Sequence, residues 1–316
     1  MSKKRLAAVS VLVLILTSAA AVASVTASAN ARRTQASVKL GFITKFPVDF
    51  YFTLVGGAKK WQKTYPSVSV TYAQGKSATD DAGEIAAIQD MVAAGVKGIA
   101  ITPTSAAVIP ALTKAVKAGV KVVLMDNDLP TWKLKSSVVA TNNLKGGTLA
   151  GKFLATKLKA GDTLGILEGV PGVPALDDRV NGMLAGLGAT KSKIKIVSKL
   201  ETDCDQTKGA SATQTMLTAN PHLTAIYAAC GPPALGAIQS IKNAGIKPGG
   251  IILVGFDGLP PEVLAIKAGK EAASVAQHPD KIGSLGIATL YAAVQGRKVL
   301  KNVDTGTSLI TKATAK

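Results

Sequence analysis

The chain has 316 residues, 47% of them apolar and only 4% aromatic, with a formal charge of +18 from 37 Lys and Arg against 19 Asp and Glu. That length suits two domains of ordinary size, and a core drawn from Ala, Val, Leu and Ile excludes a disordered chain. The lysines are scattered with no run interleaved with aromatics, which excludes a nucleic-acid surface.

At the N-terminus, Lys3, Lys4 and Arg5 precede an apolar run from Leu6 to Ala23, broken only by Ser10, Thr17 and Ser18. Ala27-Ser28-Ala29 follows, and then the polar stretch Asn30–Gln35. This reads as a secretory signal, residues 1–29, cleaved after Ala29 or alternatively after Ala31. A retained membrane anchor is the competing reading, since the run is near the shortest length that spans a bilayer. With no cysteine near this segment, no lipid anchor is expected. The product is exported, to a periplasm or the outside of the cell.

From Val38 onward, short β-branched runs alternate with helical ones, the signature of βαβ units and parallel sheets. Strands are predicted over Val38–Ile43, Val68–Tyr72, Gly98–Thr102 and Val120–Met125, with helices over Phe52–Thr64, Asp80–Ala94 and Ala106–Ala118. Gly95 and Gly119 stand where helix ends favour positive φ. The rhythm resumes with strands Thr163–Glu168, Ile194–Leu200, Ala225–Ala229 and Ile251–Phe256. Helices Leu144–Leu158, Asp177–Leu187, Thr207–Ala219, Pro233–Ala244 and Pro261–Ala268 separate or flank them. The fold class is therefore α/β, two doubly wound parallel-sheet lobes with ligand-facing loops at the C-terminal strand ends. A strand at Ala272–Ala276, a helix at Asp280–Gln295 and a short extended tail complete the chain. If that helix returns to the first sheet, the chain crosses between lobes more than once and the hinge is multi-stranded, an arrangement suited to rigid-body closure.

In this order and spacing, Gln89-Asp90-Met91-Val92, Ile101-Thr102-Pro103-Thr104, Asn143-Leu144-Lys145-Gly146-Gly147, Val254-Gly255-Phe256-Asp257-Gly258 and Ala276-Gln277-His278-Pro279-Asp280 resemble the periplasmic binding proteins of sugar ABC transporters, ribose-binding type. The resemblance runs over essentially the whole chain after the signal. It implies a three-strand hinge, with residues 38–141 and 278–304 in one lobe and 142–277 and 305–316 in the other. It also implies a monomer without catalysis or cofactor, which captures a sugar or polyol between its lobes and delivers it to a membrane permease. A ligand-sensing module of the same fold, signalling to a membrane receptor or kinase, is the alternative.

The ligand positions that the resemblance implies are Phe50 and Tyr51 as the aromatic pair after the first strand, and Asp126 as the acid ending the fourth. They continue with Arg179 in the second lobe, Asp257 after the Val-Gly-Phe strand, and Gln277 in the hinge strand. Three places depart from the ribose type. Asn127 stands where an arginine is usual, Cys204 where an aromatic is, and Cys230-Gly231 replaces an Asn-Asp pair. The implied ligand is therefore not ribose, and is smaller or less hydroxylated than a hexose.

The chemistry of the residues fits such a ligand. Carboxylates accept from paired hydroxyls, a guanidinium donates in a fixed fork, and aromatic rings cover C–H faces. Each position also has a plain structural reading: Asp126 and Asp257 could cap turns, Arg179 could pair on a helix surface, and Phe50 and Tyr51 could be core. Trp132, in the loop Asp128–Lys135, is a further candidate or a cover for the hinge. Cys204 and Cys230 are the chain's two cysteines. In the usual strand order they end strands separated by one other, roughly 9–10 Å apart. A disulfide then needs loops that bend inward; otherwise two thiols line the cleft.

Enzyme signatures are thin. His222 and His278 are the only histidines and lie far apart, which gives a metal site or a triad little material. No Gly-x-Gly-x-x-Gly or Walker loop is present, so no nucleotide cofactor is expected. Asp203-Cys204-Asp205 opens like a calcium loop, but Lys208 and Gln214 sit where glycine and glutamate are required. No helix-turn-helix precedes Val38, which disfavours a repressor of this fold.

Overall fold

The computed structural model describes residues 37–316, so the signal expected at 1–29 lies outside the described residues. The chain builds two six-stranded sheets. In the first half, β1 (Val38–Thr44), β2 (Val68–Gln74), β3 (Gly98–Ile101), β4 (Lys121–Met125) and β5 (Ser137–Ala140) alternate with α1 (Asp49–Lys63), α2 (Asp81–Ala93) and α3 (Ile109–Lys117). In the second half, β6 (Thr163–Glu168), β7 (Lys195–Glu201), β8 (Ala225–Ala228), β9 (Ile252–Asp257) and β10 (Ala273–Ala276) are joined by α4 (Asn143–Lys157), α5 (Pro174–Gly186), α6 (Gln206–Ala219), α7 (Gly231–Asn243) and α8 (Pro260–Lys267). α9 (Pro279–Val294), β11 (Asn302–Asp304) and β12 (Ser308–Thr311) close the chain.

Strand order is β11-β5-β4-β3-β1-β2 in one sheet and β12-β10-β9-β8-β6-β7 in the other. All pairings are parallel except β12 against β10. β3, β8 and β10 are buried along their whole length, as strands covered by helices on both faces must be. Side chains terminate the helices where the sequence supplies them: Asp80, Asn142 and Asp205 each accept from a backbone N–H three residues on, satisfying donors that the first turn leaves free.

The chain passes between sheets at three places, after β5, after β10 and between β11 and β12. α9 packs on α1, β3, β4 and β5 of the first sheet, and α4 packs on α5, β9 and β10 of the second. Both helix pairs use glycines for close approach. A Cβ on Gly283 would strike the Leu54 carbonyl, and one on Gly147 would strike the carbonyl of Arg179. Gly147→Val is therefore expected to push α5 outward and to lower stability by about 1–3 kcal/mol. Urea denaturation should show it as a lower midpoint at unchanged slope.

Three local expectations change. β5 (Ser137–Ala140) adds a strand to those expected, and it is held between β4 and β11. α1 begins at Asp49 rather than Phe52, so Phe50 and Tyr51 lie in its first turn while Phe52 points outward at 54% exposure. Trp132 is a core residue: it is buried among β3, β4 and α3, and its Nε1 donates to Thr113 Oγ1 at 2.9 Å.

Candidate functional site

The C-terminal ends of both sheets face one cavity of about 60 Å³. Nine of the candidates from the sequence line it, and Trp132 does not. From the first lobe come Phe50, Tyr51, Asp126 and Asn127; from the second come Arg179, Cys204, Cys230, Asp257 and, in the hinge strand's extension, Gln277.

On the first-lobe wall, the aromatic pair meets edge to face, with Phe50 and Tyr51 centroids 5.2 Å apart and Phe46 5.3 Å from Tyr51. Tyr51 Oη donates to Asp126 Oδ2 at 3.2 Å. Asp126 directly follows β4 with φ of 62°, a left-handed conformation that Asp tolerates better than most residues. Its Oδ1 is buried without a protein partner. Burial raises the Asp126 pKa, against the opposing pull of Arg179 and Lys45, and burial with the Asp126 charge holds the Tyr51 phenol well above its usual range.

The second-lobe wall is organised around Arg179, which α5 presents almost fully buried. Its Nε donates to Asn143 Oδ1 at 2.9 Å, and its Nη1 donates to the Ala229 carbonyl at 2.9 Å and to Asp257 Oδ1 at 3.2 Å. The guanidinium lies 4.1 Å above the Phe256 ring centroid, a stacked and paired arrangement that lysine could not reproduce. Asp257 in turn accepts from Gln277 Nε2 at 2.7 Å and from the Gly231 N–H at 2.9 Å. A side chain at 231 would collide with Glu262, so glycine at this departure from the ribose pattern admits the backbone donor. Gln277 Oε1 is buried without a partner.

Cys204 and Cys230 are joined as a disulfide, with Cα atoms 5.5 Å apart. β6 lies between their strands, and the intervening distance is closed by the loop after β7. There Asp203 and Cys204 take φ of 51° and 54° in succession, turning the chain inward. The bridge forms one wall of the cavity, and Asp203 beside it is paired with Lys208.

Lys45 was not singled out from the sequence, yet it lines the same cavity at 6% exposure. Its signal was position, directly after an apolar strand at a C-terminal strand end. Burial lowers its pKa, opposed chiefly by Asp126 and then by Glu84. Glu84 is buried on α2 and accepts at Oε2 from the Thr104 N–H and hydroxyl. Burial nevertheless outweighs those bonds and pushes its pKa up to about 7.

The folded state thus holds the Glu84 proton more tightly than the unfolded chain does. Its stabilising contribution is complete below the unfolded value of 4.5 and is lost as pH rises through about 7. Glu84→Gln, which keeps an acceptor for Thr104, is expected to flatten the fall in stability over that window, a difference of about 3 kcal/mol at most. Denaturation midpoints of both proteins at pH 4.5 and pH 8 measure it.

The cavity therefore combines three carboxylates, Asp126, Asp203 and Asp257, with a guanidinium, an ammonium and an aromatic face, contributed by both lobes. Such a set fixes a small hydroxylated molecule by direction and covers its C–H surface.

Comparison with known proteins gives the same architecture. A family model described as "Periplasmic binding protein domain" matches residues 40–298. A ribose import binding protein of Haemophilus influenzae is 35% identical over 251 residues, covering 79% of this chain and 83% of that protein. Among solved structures, an ABC transporter solute-binding protein from Burkholderia graminis in complex with D-arabinose superposes with a TM-score of 0.83 at 27% identity, covering 89% of this chain and 97% of that one. One from Mycobacterium smegmatis with bound glycerol gives 0.82 at 30% identity, with 88% and 96% covered.

Proposed function

The chain belongs to the periplasmic binding protein family, and on that premise we propose that it is an exported solute-binding protein, which closes its two lobes on a small sugar or polyol and delivers it to the permease of an ABC transporter. One observation carries the ligand reading: Asp126 from one lobe and the Arg179–Asp257 pair from the other converge on a single cavity. A ligand that bonds to both walls stabilises the closed arrangement, and closure is what a transporter can recognise. In this reading Phe50 and Tyr51 cover the ligand's C–H face, while Asp126, Asn127, Arg179, Asp257 and Gln277 direct its hydroxyls. The Cys204–Cys230 bridge bounds it at one side.

In this reading residues 1–29 serve as the cleaved export signal, and the mature protein works as a monomeric, non-catalytic receptor in the periplasm or outside the cell. The relatives compared are named as transport binding proteins, which favours delivery over sensing.

Thermal unfolding of the mature protein against pentoses, hexoses and polyols tests the proposal. A ligand that binds only the folded state adds about 2.7 kcal/mol at a hundredfold excess over its dissociation constant, a clear rise in the midpoint. A flat response across every sugar and polyol would overturn the reading.

A further inference from the structure

We propose that Glu262 is the residue that positions Asp257 for the ligand, and that it does so as one half of a buried acid pair whose other half, Glu271, stays neutral. The inference rests on the receptor reading above and deepens it. It adds the groups that hold the ligand-binding turn of the second lobe, and a proton on which binding depends.

Asp257 and Gly258 take φ of 101° and 66° in succession, so the backbone after β9 sits in a conformation that a free chain seldom visits. The next two N–H groups are both tied down. Leu259 N–H donates to Glu262 Oε2 at 2.9 Å, and Gly258 N–H donates to Ser274 Oγ at 3.1 Å. Ser274 Oγ in turn donates to Glu262 Oε1 at 2.7 Å, so both ties end on one carboxylate. The same carboxylate backs Gly231, where a Cβ would fall 2.5 Å from Oε2, and Gly231 N–H donates to Asp257 Oδ2 at 2.9 Å. Glu262 is fully buried and does not line the cavity, so it acts on a ligand only through Asp257.

Behind it lies Glu271, also buried. Glu271 Oε1 and Glu262 Oε1 stand 2.4 and 2.7 Å from the point that a Gly255 Cβ would occupy, so the two carboxyl groups meet beside that glycine. Neither Glu271 oxygen accepts a hydrogen bond of ordinary geometry. Glu262 has two donors and Glu271 none, which makes Glu262 the carboxylate and Glu271 the acid. No cation offsets a second charge. Of the elements packed against the pair, β9 brings Asp257, already met by Arg179, and β10 brings no charged residue. α7 brings only Lys242, which is exposed, as are Lys267 and Lys270 on the chain leading to Glu271. Burial, reinforced at Glu262 by Glu271 and then by Asp257, holds the proton of the pair well above the usual carboxylate range.

The folded chain therefore keeps a proton that the unfolded chain gives up. The contribution of the pair to stability is complete below the unfolded value of 4.5 and is lost as pH rises through the raised value. Above it, two charged carboxylates face each other behind Asp257 and the turn loosens. A ligand bonded to Asp257 clamps the turn, and with it the proton, so affinity falls over the same rise in pH.

Three measurements on the mature chain, Glu271→Gln and Glu262→Gln test this. Calorimetric unfolding at pH 7 in buffers of different ionisation enthalpy counts protons, and the parent should release about one more than Glu271→Gln. Titration with D-arabinose, D-ribose and glycerol should show affinity weakening about tenfold between pH 6 and pH 9, the change for a one-unit shift of the pair on binding. Glu271→Gln, whose amide donates without titrating, should flatten that fall. Glu262→Gln keeps an acceptor for only one of its two donors and should weaken binding about tenfold. Without ligand, its Gly258 and Leu259 amides should lose protection against hydrogen exchange. Equal proton counts in the parent and Glu271→Gln overturn the inference and leave the receptor reading standing, as does unchanged protection of both amides in Glu262→Gln. If neither these compounds nor any other sugar or polyol binds, the receptor reading falls, and the proton count and amide protection still decide whether the pair holds the turn.

Discussion

Asp257→Ala is expected to abolish the ligand-dependent rise in melting temperature and, without ligand, to cost about 3–5 kcal/mol of stability. The size of the effect follows from what the carboxylate holds. Arg179 is 4% exposed and its Nη1 faces Asp257 Oδ1, so removing the acid strands a guanidinium away from water. Gln277 Nε2 and the Gly231 N–H lose their acceptor in the same step. The backbone adds to the cost, because Asp257 sits at φ of 101°, where alanine is strained. Asp257→Asn separates the contributions: it keeps an acceptor for Arg179 and Gln277 while removing the charge, and should recover part of the stability but little of the binding. Urea titration with and without ligand reads both quantities. An alanine variant within about 1 kcal/mol of the parent that still binds would show that Asp257 is peripheral.

Opening the Cys204–Cys230 bridge is the second large perturbation. The bridged residues are 26 apart in sequence, and closing a loop of that length removes unfolded-state entropy equivalent to about 3.5 kcal/mol. For a protein of this size that corresponds to a fall in melting temperature of about 6 °C on reduction or in the paired Cys204→Ser, Cys230→Ser variant. Selectivity should move as well. Since the bridge is a wall of the cavity, its loss should change the relative affinities for pentoses and smaller polyols. Scanning calorimetry under oxidising and reducing conditions, followed by pentose titration, measures both effects. Free thiols in the protein as isolated, or a midpoint unmoved by reductant, would contradict the assignment.

The βα alternation was legible because strands and helices announce themselves by local period, and helix ends by Gly95 and Gly119, which do adopt positive φ. The candidate site was largely legible for a related reason. The family resemblance supplied Phe50, Tyr51, Asp126, Arg179, Asp257 and Gln277, and Asp126 and Asp257 also stand at C-terminal strand ends, where parallel sheets gather ligands. Lys45 occupies an equivalent strand end but resembles any surface lysine until its burial is known. Trp132 erred in the other direction: an aromatic in a polar loop looks available, and only the fold shows it sunk beneath β3 and β4 with its indole N–H satisfied by Thr113.

By itself, the sequence determined the two-lobed α/β architecture, the order of its elements and the residue types that would meet at the strand ends, because periodicity, turn chemistry and charge are local properties. Tertiary structure decided the rest. It paired β5 with β11 across more than half the chain, turned two consecutive residues left-handed to bring Cys204 to Cys230, and left Asp126 Oδ1, Gln277 Oε1 and the Lys45 ammonium without protein partners around one cavity. These depend on which distant segments lie side by side and on which polar atoms are spent inside the protein, quantities that exist only once the chain has folded.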